Sequence, residues 1–390
     1  MSRPRTFGQL GEVFDGPHAT PRRLDQGPYF LSISSLDKGR LNLDLSDHVS
    51  PADFALWTRR IEPREGDLLF SYETRLGEAA LMPARVEACL GRRMALLRPD
   101  TSVVDPRFLL YYYLSPYFQS VIAERAVHGA TVSRIPLIHM GSWPVDIPPI
   151  DKQRRIAEVL GALDDKMVEN RAVVQDIDEL VLCLFLQATE GAEKTPLSSI
   201  ALVNPSTLAS AGHGTLRYVD IGALGVGSMP LPIQTAWSDA PSRARRPVNK
   251  GDVLWSTVRP NLRAHALSLY EGSDLIASTG LAVIRPIEGD YAFVYECVRT
   301  AAFTSHLVSS AAGSAYPAVR PGDIGCGPVP CLSIADRRSF QSAAGPLRQR
   351  QWASLVENRS LAALRDALLP KLMSGELRVR DAEKQVEEVV

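Results

Sequence analysis

The residues able to do chemistry by themselves are few, and none has the company a catalytic centre needs. The only Pro-Pro pair, Pro148-Pro149, lies between isoleucines. An adenine methyltransferase instead needs a short Asn- or Asp-Pro-Pro-aromatic loop to grip a flipped base, so this pair reads as the end of strand structure and the start of a helix. Gly222-Ala-Leu-Gly-Val-Gly has neither the GxGxxG order nor a clear helix behind it, so it reads as a loop; Walker A spacing is absent. Asp164-Asp-Lys166 has the Asp-x-Lys form of metal-dependent nucleases but falls on a charged helix flank, where such runs are solvated. His128, beside Gly129-Ala-Thr, lacks the carboxylate and nucleophile of a triad. Cys89, Cys183, Cys297, Cys326 and Cys331 form no CxxC pair and share no metal-ligand spacing with the seven histidines. They read as free thiols. The sequence assigns no catalytic residue, no metal ligand and no cofactor to the chain itself.

What the chain does offer is clustered hydrogen-bond donors, the groups that grip phosphates and read base edges. Ser256, Thr257, Arg259, Asn261 and Arg263 gather around Pro260, and an earlier region offers Ser71, Tyr72, Thr74 and Arg75. Thr131, Ser133 and Arg134 follow Gly129, while Tyr316 and Arg320 occupy a matching later loop; Arg243, Arg245 and Arg246 form a separate basic run. Lys and Arg (43) balance Asp and Glu (44), which excludes a strongly basic nucleic-acid coat. Any such footprint must come from charge placement. Hydrophobic residues at 45% exclude a disordered chain.

These donors recur because the chain repeats itself. Gly129-Ala-Thr-Val-Ser-Arg matches Gly313-Ser-Ala-Tyr-Pro-Ala in register, and the shift of 184 carries Pro144 onto Pro328 and Ile150 onto Ile334. Gly66-Asp-Leu-Leu-Phe-Ser matches Gly251-Asp-Val-Leu-Trp-Ser at a shift of 185, and Phe30-Leu-Ser-Ile matches Tyr218-Val-Asp-Ile at 188. Three blocks in one order with small drifts mean a duplicated domain, with a period too long for a solenoid. Donors at shared positions suit phosphate or structural roles, since two readers should differ; Arg243-Ala-Arg-Arg246 has no counterpart in the first half.

The elements that position these loops read as α+β. Short Val-, Ile-, Leu- and aromatic-rich runs broken by Gly and Pro predict strands. Asp105–Leu114 and Asp290–Val298 predict an amphipathic helix in equivalent places. A long helix closes each half. In the first, Ile156, Leu160, Leu163, Met167, Asn170, Val174, Ile177, Val181 and Leu184 follow strict 4-3 spacing, an a/d seam in which Asn170 can fix register. The second places Phe340, Ala344, Leu347, Leu361 and Leu368 on a weaker seam interrupted by Gln351, Ser354, Asn358 and Arg365, and the first helix is its natural partner. The expected division is residues 1–150 and 191–334 as two domains, 151–190 and 335–377 as long helices, and 378–390 as a C-terminal tail. With no signal-peptide core and no apolar run beyond Val181–Leu186, the expected location is the cytoplasm.

Pro148-Pro-Ile-Asp-Lys-Gln-Arg-Arg-Ile-Ala-Glu-Val-Leu, continuing through Leu163-Asp-Asp-Lys-Met, resembles the central conserved region of type I restriction-modification specificity subunits. Leu361-Ala-Ala-Leu-Arg-Asp-Ala-Leu-Leu-Pro-Lys-Leu-Met-Ser-Gly-Glu-Leu resembles their distal conserved region, and Gly251-Asp-Val-Leu-Trp-Ser-Thr-Val-Arg-Pro-Asn-Leu-Arg a block of their target-recognition domains. The resemblance implies two tandem target-recognition domains of mixed sheet and helices, separated by two long helices that form an antiparallel coiled coil. It also implies a split double-stranded DNA site read half by each domain, with the helix pair as spacer. Two methyltransferase subunits and the restriction subunits are the implied partners, with AdoMet and ATP/Mg on those partners. Cys331-Leu-Ser-Ile-Ala-Asp-Arg-Arg-Ser-Phe departs from the family's Pro-Pro and Glu-Gln pattern, which puts the tightness of the second domain-helix junction in question. Rival readings are a methyltransferase or endonuclease with its own centre, opposed by the missing motifs, and a coiled-coil scaffold without DNA specificity.

Overall fold

A computed structural model describes residues 5–17, 20–128, 132–209, 212–313 and 315–390. The chain divides into two compact units, Met1–Val168 with Asn358–Val390, and Glu169–Glu357. Among the described residues, no helix is long and apolar enough to cross a membrane.

The duplication is visible strand by strand. The first unit has an antiparallel sheet ordered Gly11–Asp15, Met94–Pro99, Leu68–Ser71, Ala79–Leu81; the second has Ala201–Val203, Leu281–Pro286, Val253–Ser256, His265–Leu267 in the same order. The strands Leu68–Ser71 and Val253–Ser256 are buried on both faces, which is why they read as unbroken apolar runs without alternation. Each unit also pairs two strands in parallel, Leu24–Leu31 with Ala88–Leu90 and Thr215–Val219 with Leu275–Ser278. The second unit adds Ala244–Pro247 to that sheet. This extra strand carries the arginine run that had no counterpart in the first half.

The turn before the central strand explains the shared Gly-Asp. Gly66 and Gly251 take φ of 83° and 89°, a left-handed conformation that costs glycine little. Asp67 and Asp252 behind them are almost fully buried. Each accepts two hydrogen bonds from one arginine on the neighbouring strand: Arg98 at 3.0 and 2.7 Å, Arg285 at 2.8 and 2.6 Å. The remaining carboxylate capacity takes the N–H of Arg64 at 2.8 Å and of Asn249 at 2.7 Å. A two-pronged guanidinium with an added backbone donor is what a buried carboxylate requires.

The equivalent short helices Pro106–Leu114 and Tyr291–Arg299 differ from the amphipathic expectation. Phe108 to Tyr113 and Ala292 to Val298 are buried without a break. Neighbours on every side account for this: each helix joins a core cluster with the central strand, a following helix and both long helices. The following helices, Pro116–Arg125 and Ala301–Ser310, carry N-caps at Ser115 and Thr300, whose hydroxyls accept from Phe118 N at 3.3 Å and Phe303 N at 3.2 Å.

The long helices span Ile150–Ala188 and Ile334–Ser374 and run antiparallel within each unit. In the first unit Arg365 donates to Asp164 at 2.7 Å and Asn358 to the Met167 carbonyl at 3.4 Å. In the second, Asn170 donates to Glu357 at 3.0 Å, Gln351 to the Val174 carbonyl at 3.0 Å, and Arg348 to Asp178 at 2.7 Å. Three of the four polar interruptions of the second seam, Gln351, Asn358 and Arg365, therefore bond to the facing helix. Ile156, Leu160, Leu163, Met167, Asn170, Ile177, Val181, Phe340, Ala344, Leu361 and Leu368 are buried as the spacing predicts. Three positions are corrected. Val174, Leu184 and Leu347 are only partly buried, and Phe185 and Arg348 turn inward beside the last two. A helix of 3.6 residues per turn drifts about 20° per heptad against a 3.5 repeat, enough after several heptads to bring in the next residue.

The second junction is also tight, by different chemistry. Gln153 is buried and bridges Asp105 N at 3.0 Å to the Val103 and Pro148 carbonyls. At a shift of 184 stands Arg337, buried and paired with Asp290 at 2.6 Å. Residues 379–387, within the expected tail, form a helix whose Val379, Ala382 and Val386 join the first unit's core.

Candidate nucleic-acid interface

In each unit the central strand ends in a loop that meets the loop of the 129/313 block. Sequence separates those segments by more than 55 residues; the fold pairs them. In the first unit Glu73 bridges Arg134, Ile135 N donates to Tyr72 O at 2.8 Å, and Thr74 N to Ser133 O at 3.3 Å. In the second, Val258 bridges Ala318, Val319 N donates to Thr257 O at 2.9 Å, and Arg259 N to Pro317 O at 2.7 Å. The residue at the meeting point is left-handed in both, Thr74 at φ 71° and Arg259 at φ 50°.

Several expected donors turn out to hold this scaffold. Ser71 and Ser256 are buried, and their hydroxyls donate to the carbonyls of Glu73 at 2.8 Å and Val258 at 2.9 Å. Tyr72 is buried, and burial pushes its phenol above the usual range. These three are corrected from surface donors to turn and core residues: the serine hydroxyls are buried and committed, and Tyr72 packs into the core. Thr257 donates to the Gly280 carbonyl at 2.8 Å. Thr131 lies outside the described residues.

The rest stay at the surface with differing freedom. Arg75 is tied to Glu78 at 3.0 Å and to the Ile33 carbonyl at 3.1 Å. Ser133 is half-buried and Arg134 exposed. In the second unit a turn at Pro260–Leu262 is bounded by two left-handed arginines, Arg259 and Arg263 at φ 54°. Asn261 and Leu262 project from it, Leu262 with 58% exposure. Arg263 donates to the Arg299 carbonyl at 2.8 Å, while the Arg259 guanidinium lies 4.7 Å from the Tyr316 ring centroid. Arg320 is exposed at the next turn, its N–H bonded to Asp323 at 2.8 Å. Arg243 is exposed but paired with Asp220 at 3.2 Å; Arg245 bonds the Ser242 carbonyl at 2.8 Å. Arg246 is half-buried against the Leu281 carbonyl, and burial lowers its pKa. Arg246 is thus corrected from a free surface cation to a strand anchor.

Under the second loop Trp255 stacks on His265, centroids 4.9 Å apart and planes 13° from parallel. The His265 Nδ1–H donates to the Arg263 carbonyl at 2.5 Å, and burial depresses the imidazole pKa to about 4. The ring is therefore a neutral support for the turn. One participant was missed from sequence: Arg93, left-handed at φ 78°, takes Tyr72 N on its carbonyl at 3.1 Å and pairs with Glu73 at 3.3 Å. The Gly91-Arg92-Arg93 turn between two strand runs was the available signal.

No family model matches the chain. It is similar to a protein assigned as the type I restriction enzyme MjaX specificity subunit of Methanocaldococcus jannaschii, 31% identical over 107 residues, 26% of this chain and 24% of that relative. It is also similar to the type I restriction enzyme HindI specificity subunit of Haemophilus influenzae, 24% identical over 129 residues, 31% of this chain and 27% of the relative. These matches span about a quarter of the curated relatives' length. The crystal structure of the type I restriction-modification S subunit from M. genitalium superimposes with a TM-score of 0.58 at 15% identity, covering 95% of this chain and 96% of that one. The chain is thus similar in fold along nearly its whole length to an S subunit of a type I restriction-modification system, and in sequence over shorter segments to two type I specificity subunits.

Proposed function

We propose that the chain is the DNA-specificity subunit of a type I restriction-modification complex, reading a bipartite double-stranded site and positioning methyltransferase and restriction subunits on it. Residues 1–150 and 191–334 are the readers, and the long helices at 151–190 and 335–377 carry the methyltransferase subunits. The chemistry belongs to the partners, which hold AdoMet and ATP with magnesium, and the complex works in the cytoplasm.

One observation supports this reading above the others. The same backbone device, a left-handed residue tying two loops together, occurs in both units and presents different side chains, Thr74 and Ser133 in one, Arg259 and Pro317 in the other. A repeated scaffold that exposes a threonine in one unit and an arginine in the other suits two readers of unlike half-sites; an enzyme would need one constellation complete. The test is methylation by purified components. The isolated chain should transfer no methyl group, and adding its cognate modification subunit should give AdoMet-dependent adenine methylation at a single bipartite motif. Methylation or cleavage by the chain alone would defeat the reading.

A further inference from the structure

We infer that Arg259, held against Tyr316, reads a guanine in one half-site; the inference rests on the specificity-subunit reading and deepens it. The backbone comes first. Arg259 sits at φ 50°, a left-handed conformation that residues with a Cβ rarely adopt. The fold keeps it there through the 2.7 Å bond from its N–H to Pro317 O and the bridge between Val258 and Ala318. The direction of its Cα–Cβ bond is fixed as a result.

The guanidinium is then fixed by its platform. It lies 4.7 Å from the centroid of Tyr316, a ring 69% exposed. Stacking on an aromatic face orients the planar fork and leaves its donors free. Among the described residues Arg259 has no ion pair and no side-chain hydrogen bond, whereas Arg75, Arg243, Arg246 and Arg263 are all engaged by protein oxygens. A pre-oriented guanidinium with unspent donors matches the O6 and N7 acceptors of guanine in the major groove, the commonest specific arginine contact.

Comparison of the two units separates reading from gripping. Thr74 has the same left-handed backbone and the same tie to the facing loop, and at the shift of 184 Val132 stands where Tyr316 does. Neither the guanidinium nor its platform is duplicated. A phosphate contact serves both half-sites alike and has no reason to differ; a base reader must.

The test replaces the gene in its host with R259A, R259K, Y316A and Y316F, and maps the methylated motif by sequencing. R259A and R259K should each relax one guanine in one half-site, with discrimination falling on the order of 10- to 100-fold, and leave the other half-site intact. Y316A should relax the same base, and Y316F, which keeps the ring, should not. An unchanged motif in R259A overturns the inference while the specificity reading stands. A wild-type motif restored by R259K identifies a phosphate grip and overturns it too, as does loss of all methylation in both arginine variants. Absence of any bipartite motif dependent on the wild-type gene defeats the specificity reading itself.

Discussion

At the scale of single residues, the sequence marked positions better than roles. Gly66-Asp67 and Gly251-Asp252 stand out as a repeat, yet their arginine partners lie 31 and 33 residues onward, on another strand. No local pattern links them. Ser71, Tyr72 and Ser256 looked like surface donors because type and spacing carry no information on burial. His265 was singled out by nothing, yet it holds the second loop from below. Its environment gives a directional expectation. The folded pKa of about 4 lies below the unfolded value of about 6.5, so between them the unfolded chain binds more protons. Stability from the neutral ring is complete above about pH 6.5 and is lost as pH falls toward 4, roughly 3 kcal/mol in all. Unfolding midpoints of the second unit should drop on acidification from pH 7 to 4.5, and H265Q, which can still donate to the Arg263 carbonyl, should flatten that slope. An equal slope in H265Q would assign the acid sensitivity elsewhere.

At the scale of elements, the leucine seam was legible and its polar gaps were misread as weakness. One of them, Arg365, belongs to a charged clamp whose polarity is reversed in the second unit. In the first unit Tyr111 donates to Asp164 at 2.6 Å and Arg365 to Asp164 at 2.7 Å. At shifts of 185 and 184 the second unit has Glu296 and Arg348, with Arg348 bonded to Glu296 and, at 2.7 Å, to Asp178. The central charge has changed sign, its partner on the facing helix has reversed with it, and the neutral Tyr111 is replaced by Glu296. Two copies of the first long helix would set Asp178 against Asp164 in place of Arg348; two copies of the second would set Arg365 against Arg348. Either like-charge contact is unfavourable in a half-buried seam, so the clamps select the unlike pair. Arg348 and Glu296 are both about 1% exposed, and burial holds the Glu296 carboxyl above its ordinary pKa. R348M should therefore cost about 3 kcal/mol by leaving the buried Glu296 carboxylate to Arg299 alone, at 3.0 Å. With its carboxyl pKa raised further in the folded state, that variant should lose stability as pH rises above about 4.5. Adding E296Q should recover part of the loss and remove the extra pH dependence, as equilibrium denaturation at pH 5 and 8 would reveal. A fully additive double-mutant cycle would mean that the two side chains are not coupled.

At the scale of the whole molecule, duplication makes the proposed recognition separable. The two units have their own cores and their own paired loops, and the candidate readers of each are drawn from its own strands. The sequence showed this division because the repeat keeps block order. It hid the extra strand Ala244–Pro247, which falls where the halves no longer align. If each loop pair reads its own half-site, exchanging residues 195–330 for the same segment of a related subunit should change one half of the methylated motif and leave the other untouched. The exchanged segment begins and ends in the short pair Lys194–Pro196 and Pro328–Pro330, which closes the second unit as Arg5–Thr6 with Pro144–Val145 closes the first. It carries its own central strand, its Asp252–Arg285 clamp and both loops, so the graft brings a complete scaffold with it. The side chains that face it from the long helices, among them Arg337, Gln341 and Arg348, bond to Asp290, the Ala292 N–H and Glu296. A donor segment that keeps those acidic positions should dock without repacking, and one that lacks them should fold poorly whatever its specificity. Methylome mapping of a well-folded chimera then decides the matter, since a motif altered in both halves at once would mean that the two loop pairs do not read independently.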